Sequence, residues 1–249
     1  AAIESIKIAE DRAKTELSQI KDKTAKLEAE AKKQGKTVKE YDKEAWEALQ
    51  VQQAEALQKL AAARKEGFEK RLSDIKQDAQ EATAIVEAAQ AKNEIDNQKA
   101  ATRTAEIATK NINTQIALIN KEIAANAGNK ERLEELNAKR AGLEKDLTEV
   151  QKKQLQQRLS DLQQDADERV SVVKARNATG VIDNQQAAKQ TAAIETASSK
   201  TQLQILQTRI AEVIAADKKR GKVSTELLEE LRKQEGDTQV KITEIAKKE

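Results

Sequence analysis

The chain has 249 residues with 45 basic against 43 acidic side chains, a net charge of +2, and no His, Cys, Met or Pro. That composition excludes a disulfide scaffold, His-based triads, Cys nucleophiles and the His/Cys metal sites, and it offers no basic excess for nucleic acid. Aromatic residues make up 1% and charged residues 35%, so the apolar content (Ala, Leu, Ile and Val) suits narrow seams between helices. Mean hydropathy is −0.79, yet the apolar positions are periodic, which a disordered chain has no reason to show.

The chain opens on Ala1-Ala2-Ile3 inside a repeated pattern, and reads as a piece excised from a longer protein. Leu17, Ile20 and Leu27 reappear 186 residues later as Leu203, Leu206 and Val213, and KKQGK (32–36) as KKRGK (218–222). The stronger repeat follows. RLSDIKQDA (71–79) returns as RLSDLQQDA (158–166), and Ile95-Asp96-Asn97-Gln98 as Ile182-Asp183-Asn184-Gln185, both at 87 residues. From 71–107 against 158–194, 20 of 37 positions are identical without a gap. Further on, Leu147-Thr148-Glu149-Val150 aligns with Ile242-Thr243-Glu244-Ile245 at 95 residues, so eight extra residues enter between Ile210 and Leu231. Three units result: a partial first copy at 1–65, a second at 66–152 and a third at 153–249, with helices continuous across the boundaries.

Two kinds of turn divide each unit. The first holds Gly35, Gly128 or Gly221, where a glycine past a helix end is expected to take the left-handed conformation. Thr37 with Glu40 at capping-box spacing, Asn129, and Ser224 or Thr225 then start the next helices. The second turn is NATGVIDNQ (177–185). Gly180 ends one helix, Val181 and Ile182 pack back, and Asp183 caps the next with Gln186 at the third position. Asn93 replaces Gly180 in the other copy, and asparagine is the residue that best tolerates left-handed geometry without being glycine. A continuous helix through 93 and 180 is the alternative. Helices are expected near 1–34, 37–92, 96–127, 130–179, 183–219 and 224–248.

Between turns the apolar spacing is helical. Ile112, Ile116, Ile119 and Ile123 form one seam and Leu203, Leu206, Ile210 and Val213 another. Phe68, Leu72, Ile75, Ala79 and Val86 follow the same heptad-like rule, as do Leu155, Leu159, Leu162, Ala166, Val170 and Val173. A five-residue step from Val150 to Leu155 marks a slip between successive packing partners. The expectation is an all-α, elongated rod of repeated long antiparallel helices, each slice a three-helix bundle as in spectrin-type layouts. Straight long helices in an oligomeric coiled coil are the other arrangement.

No motif carries chemistry. Gly35-Lys36-Thr37 resembles the end of a phosphate-binding loop, but Glu30 stands where its first glycine belongs. Asp161, Asp165, Asp167 and Glu168 lack the central glycine of a calcium loop and fall along a helix surface. Asn177-Ala178-Thr179 fits the glycosylation sequon, and Trp46 and Tyr41 read as packing residues. No catalytic, cofactor-binding or metal site is assigned, no cofactor is expected, and the chain reads as a protein that is not an enzyme.

The RLSDIKQDA and RLSDLQQDA segments, followed by NEIDNQKAA or GVIDNQQAA, and the helix ends KKQGK and KKRGK leading into STELLEELRK, resemble the central repeats of bacteriophage tail tape-measure proteins. That resemblance implies a length ruler or spacer inside a tail tube, located in the virion or in host cytoplasm during assembly. Its implied partners are tail tube proteins and other helices of the same long protein, through self-association, with no nucleic acid and no membrane in this segment. A spectrin-like spacer or helical interaction rod of a bacterial surface or cytoskeletal protein is the competing reading.

Overall fold

The computed structural model describes residues 2–220 and 224–248, and every element among them is an α-helix. They are α1 (Ala2–Lys33), α2 (Val38–Tyr41), α3 (Lys43–Ala91), α4 (Asn97–Ala125), α5 (Lys130–Ala178), α6 (Asn184–Arg220) and α7 (Thr225–Lys248). The chain divides into two compact units, Ala1–Gln151 and Lys152–Glu249. The division falls where the seam slips between Val150 and Leu155. Long helices α3 and α5 are each 49 residues and start 87 residues apart, so the repeat governs helix length as well as sequence.

Three turns close in the same way. After α5, Gly180 has φ of 72°, its N–H donates to the Asn177 carbonyl at 2.9 Å, and the Val181 N–H donates to the Arg176 carbonyl at 2.9 Å. This paired pattern satisfies carbonyls that a helix end would otherwise leave open. Asn93, with φ of 57°, repeats it through Gln90 and Ala89, and Gly35, with φ of 66°, through Lys32 and Ala31. Both second-type turns are then pinned by aspartate caps. Asp96 accepts from the Lys99 N–H and Asp183 from the Gln186 N–H, each at 2.7 Å. The α3–α4 and α5–α6 segments are therefore hairpins, not straight helices.

In the first unit, α4 runs back along α3, and the first half of α5 returns beside both. Phe68, Leu72, Ile119 and Leu136 form its buried cluster, one set from each of the three helices. In the second unit, Leu155, Leu206, Val213, Leu228 and Leu231 unite the second half of α5 with α6 and α7. Every expected seam residue from Phe68 to Val86, Ile112 to Ile123, Leu155 to Val173 and Leu203 to Val213 is buried or half-buried. Burial of such seams drives the helices together, since isolated helices of this composition gain little from propensity alone. Earlier in the first unit, α1 lies antiparallel to α3. Ala13, Ala31, Ala56 and Ala63 are buried there alongside Ile6, Ile20 and Leu60. Glu16–Lys59 at 3.1 Å and Glu10–Arg64 at 3.4 Å flank the contact.

Three expectations need correction. The expected helix 37–92 is two helices: the capping box of Thr37 and Glu40 forms, but it starts only the single turn α2. Asp42 then breaks to φ −152° and ψ 90°, and its carboxylate accepts from the Ala45 N–H at 2.9 Å to start α3. Gly128 does not take the left-handed conformation. Asn126 closes that turn: its side-chain amide donates to the Glu122 carbonyl at 2.8 Å, and its own carbonyl accepts from the Asn129 N–H at 2.9 Å. Val181 does not pack back but is 62% exposed, while Ile182 is buried. Gly221 lies outside the described residues.

Candidate functional site

Polar groups concentrate most around Phe68, on the first unit's three-helix cluster. The Arg132 guanidinium lies 5.1 Å above the ring centroid and the Lys139 ammonium 5.8 Å from it. Both cations sit on α5 because residues 132 and 139 are one heptad apart and so share a helix face. Carboxylates surround them. Arg132 Nη1 donates to Glu135 Oε2 at 2.7 Å, and Lys139 Nζ bonds both Glu69 and Glu135. Arg132 Nη2 faces Glu122 at 3.7 Å without a hydrogen bond. The Arg132 and Lys139 bonds hold the Glu135 carboxyl down to about 2. Burial tends to lower the Lys139 pKa, but its bonds to Glu69 and Glu135 leave it raised. Glu135 and Lys139 are thus both held in their charged forms.

Beside this network is a groove of about 420 Å³, lined by Leu72, Ser73, Lys76, Gln115, Gly142 and Asp146 among others. A second, of about 460 Å³, lies between α1, α3 and the end of α4 and includes Ile6, Arg64, Gly67 and Leu118. The ionised Glu135 does not meet the need of a general acid, whose pKa must lie near working pH. What the arrangement does chemically is fasten α5 to α3 by the Lys139–Glu69 bond and a stacked cation, with the Arg132 guanidinium set against Glu122 of α4 as an ion pair.

The motifs singled out in the sequence are dispersed, and each has a local partner. Gly35 closes α1, and the Thr37 N–H that would face a phosphate donates instead to Glu40 at 2.8 Å. Asp161, Asp167 and Glu168 accept from Gln157, Gln163 and Gln164, and Asp165 pairs with Arg169 at 3.7 Å. Asn177 uses its side-chain amide on Asn184 Oδ1 at 3.0 Å. Tyr41 donates its hydroxyl to Glu30 at 3.3 Å, and Trp46 is half-buried on α3. No described helix is long and apolar enough to cross a membrane.

Sequence reasoning passed over the Phe68 cluster because lone Arg and Lys residues on a charged helix look solvated. The available signal was positional. At the repeat offsets of 87 and 95, Phe68 and Arg132 correspond to Leu155 and Leu227, so Arg132 stands where the other copy packs a leucine. Likewise Glu69 and Lys139 become Gln156 and Gln234. The inter-helix pair of Lys65 and Glu135 at 3.8 Å persists as Lys152 and Glu230 at 2.8 Å. The bond from Gln90 to Asn97 across one turn, 2.9 Å, persists as Asn177 to Asn184 across the other. Crossing points are repeated; the chemistry of the Phe68 cluster is not. No family model, curated protein or solved structure matches the chain.

Proposed function

We propose that the chain is a structural repeat segment that contributes length, working as a ruler or spacer of the tail tape-measure kind and not as a catalyst. The observation that carries this reading is the contrast just described. The two copies keep the 49-residue long helix, the turn geometry at Asn93 and Gly180 and an inter-helix pairing, while the polar cluster around Phe68 is exchanged for leucine and glutamine. A site selected for binding or reaction depends on its side-chain chemistry, whereas a spacer depends on where the helices go. Near-balanced charge supports the same reading, because it avoids a strong field toward nucleic acid. The competing reading is a spacer in a surface or cytoskeletal protein, supported by the same repetition.

The test uses a phage carrying the full-length protein. Removing or duplicating 87 residues, Asn93 to Thr179, joins equivalent positions of the two copies. In a tape stretched as a single helix, each such step changes tail length by about 130 Å at the helical rise. Tails that shorten and lengthen in equal steps support the ruler. Unchanged tail length in both variants would reject it and leave the plain spacer.

A further inference from the structure

We infer that the α3–α4 hairpin is a built-in opening point: its turn at Asn93–Asp96 straightens into continuous helix more readily than the equivalent α5–α6 turn at Gly180–Asp183. The two turns share backbone hydrogen bonds, aspartate caps and a cross-turn side-chain bond. The differences at positions 93, 94 and 95 act in one direction, against the single Asp96–Lys99 ion pair at 3.1 Å that favours the closed Asn93 turn. Position 93 is an asparagine held at φ of 57°, while position 180 is a glycine at 72°. Left-handed geometry is free of steric cost only for glycine, so the bent state is less favoured at Asn93. In a continuous helix the order inverts, because asparagine is a better helix residue than glycine. Next in line, Glu94 replaces Val181, and glutamate also outranks valine in a helix.

Packing adds a third difference. Ile182 is 7% exposed and joins Val173, Ala187 and Ile194 in a buried cluster that holds the α5–α6 turn closed. Its counterpart Ile95 is only half-buried, beside the charged pair of Asp96 and Lys99 at 3.1 Å. Val86 and Ala100 are buried like their counterparts Val173 and Ala187, so the difference in apolar surface lies at Ile95, which loses less cover on straightening than Ile182 does. The inference concerns the fold and holds independently of the ruler reading, since it is tested on the isolated chain.

The absence of cysteine lets spin labels be placed at will. Exposed Ala84 and Thr102 flank one turn, and exposed Ser171 and Lys189 flank the equivalent positions of the other. In a hairpin each pair is close; in a straight helix the backbones stand about 27 Å apart. Distances are measured in the full chain along a trifluoroethanol series, which favours continuous helix. The long distance is expected first in the 84/102 pair, and the Asn93→Gly/Gly180→Asn double variant is expected to reverse the order. Amide exchange in buffer gives a second reading: Asn93→Gly should slow opening of the α3–α4 hairpin by roughly fivefold, and Gly180→Asn should speed opening of the α5–α6 hairpin by a similar factor. The inference is overturned if both pairs lengthen together, if 171/189 lengthens first, if the order ignores the exchange, or if neither pair lengthens.

Discussion

Asn111 donates its side-chain amide to the carbonyl oxygen of Ile75 at 2.6 Å, in the middle of α3 and far from any helix end. Eighty-seven residues later, Ser198 donates its hydroxyl to the Leu162 carbonyl at 3.3 Å. A mid-helix carbonyl already accepts its own helical bond and uses its second lone pair here. The pairing therefore fixes the height of one helix against its neighbour. Asn111 also accepts from buried Gln115 at 2.5 Å. Asn111→Ala should cost about 2 kcal/mol in urea unfolding, since it leaves the Gln115 amide unpaired. Asn111→Ser, which writes in the other copy's residue, should cost less than half of that.

The Phe68–Arg132 pair should behave as a unit. Arg132→Leu alone removes the cation that Glu135 and Glu122 face, and Phe68→Leu alone leaves Arg132 without its ring. The double variant recreates the leucine pairing of Leu155 and Leu227. We expect a double-mutant cycle to show positive coupling of about 1 kcal/mol, with the double variant less damaged than the two singles predict.

Acid should loosen the same place. Glu135 is lowered from 4.5 to about 2, first by its hydrogen bond from Arg132 and then by Lys139. A carboxylate with a depressed folded pKa stabilises the fold above its unfolded value, and that contribution fades as pH falls. The window here is from pH 4.5 down to about 2. Thermal melting should fall across it in the native chain, and Glu135→Gln should flatten that part of the profile. An unchanged slope in the variant would place the acid sensitivity elsewhere.

Gly67 decides how closely α1 approaches α3. A Cβ there would stand 3.2 Å from Ile6 Cγ2, tight enough that the isoleucine must yield. Gly67→Leu should destabilise the first unit by about 2 kcal/mol through overpacking. Ile6→Ala, in the same chain, should recover part of the loss by making room. A Gly67→Leu defect that Ile6→Ala merely adds to would show that the close approach is not the cause.

Much of this architecture was written in residue spacing. The seams, the left-handed positions at Gly35, Asn93 and Gly180, and the caps at Thr37, Asp96 and Asp183 all follow from local chemistry, and local chemistry is what a sequence displays. The break at Asp42 was missed because Tyr41-Asp42-Lys43 sits among good helix formers. The repeat itself held the clue, since Asp42 lies 87 residues before Asn129, already expected to start α5. Asp42→Ala should remove a cap and cost about 1 kcal/mol. Gly128 misled for the opposite reason. Glycine permits the left-handed state without requiring it, and the bonds made by Asn126 close that turn with other dihedrals. The Phe68 cluster was illegible because which charged side chains meet depends on how three helices are stacked.

The repeat makes the two copies interchangeable units, and one deletion puts this to the test. Removing Asn93 to Thr179 joins Lys92 to Gly180 and brings the second half of α3 beside α6 and α7. Lys65 then takes the place of Lys152 opposite Glu230, Ile75 that of Leu162 opposite Ser198, and Gln90 that of Asn177 opposite Asn184. The measurement is urea unfolding of the shortened chain followed by circular dichroism. Interchangeable copies predict unchanged helicity per residue and a cooperative transition whose m-value is roughly two thirds of the parent's. A shortened chain with reduced helicity and no cooperative transition would contradict the claim.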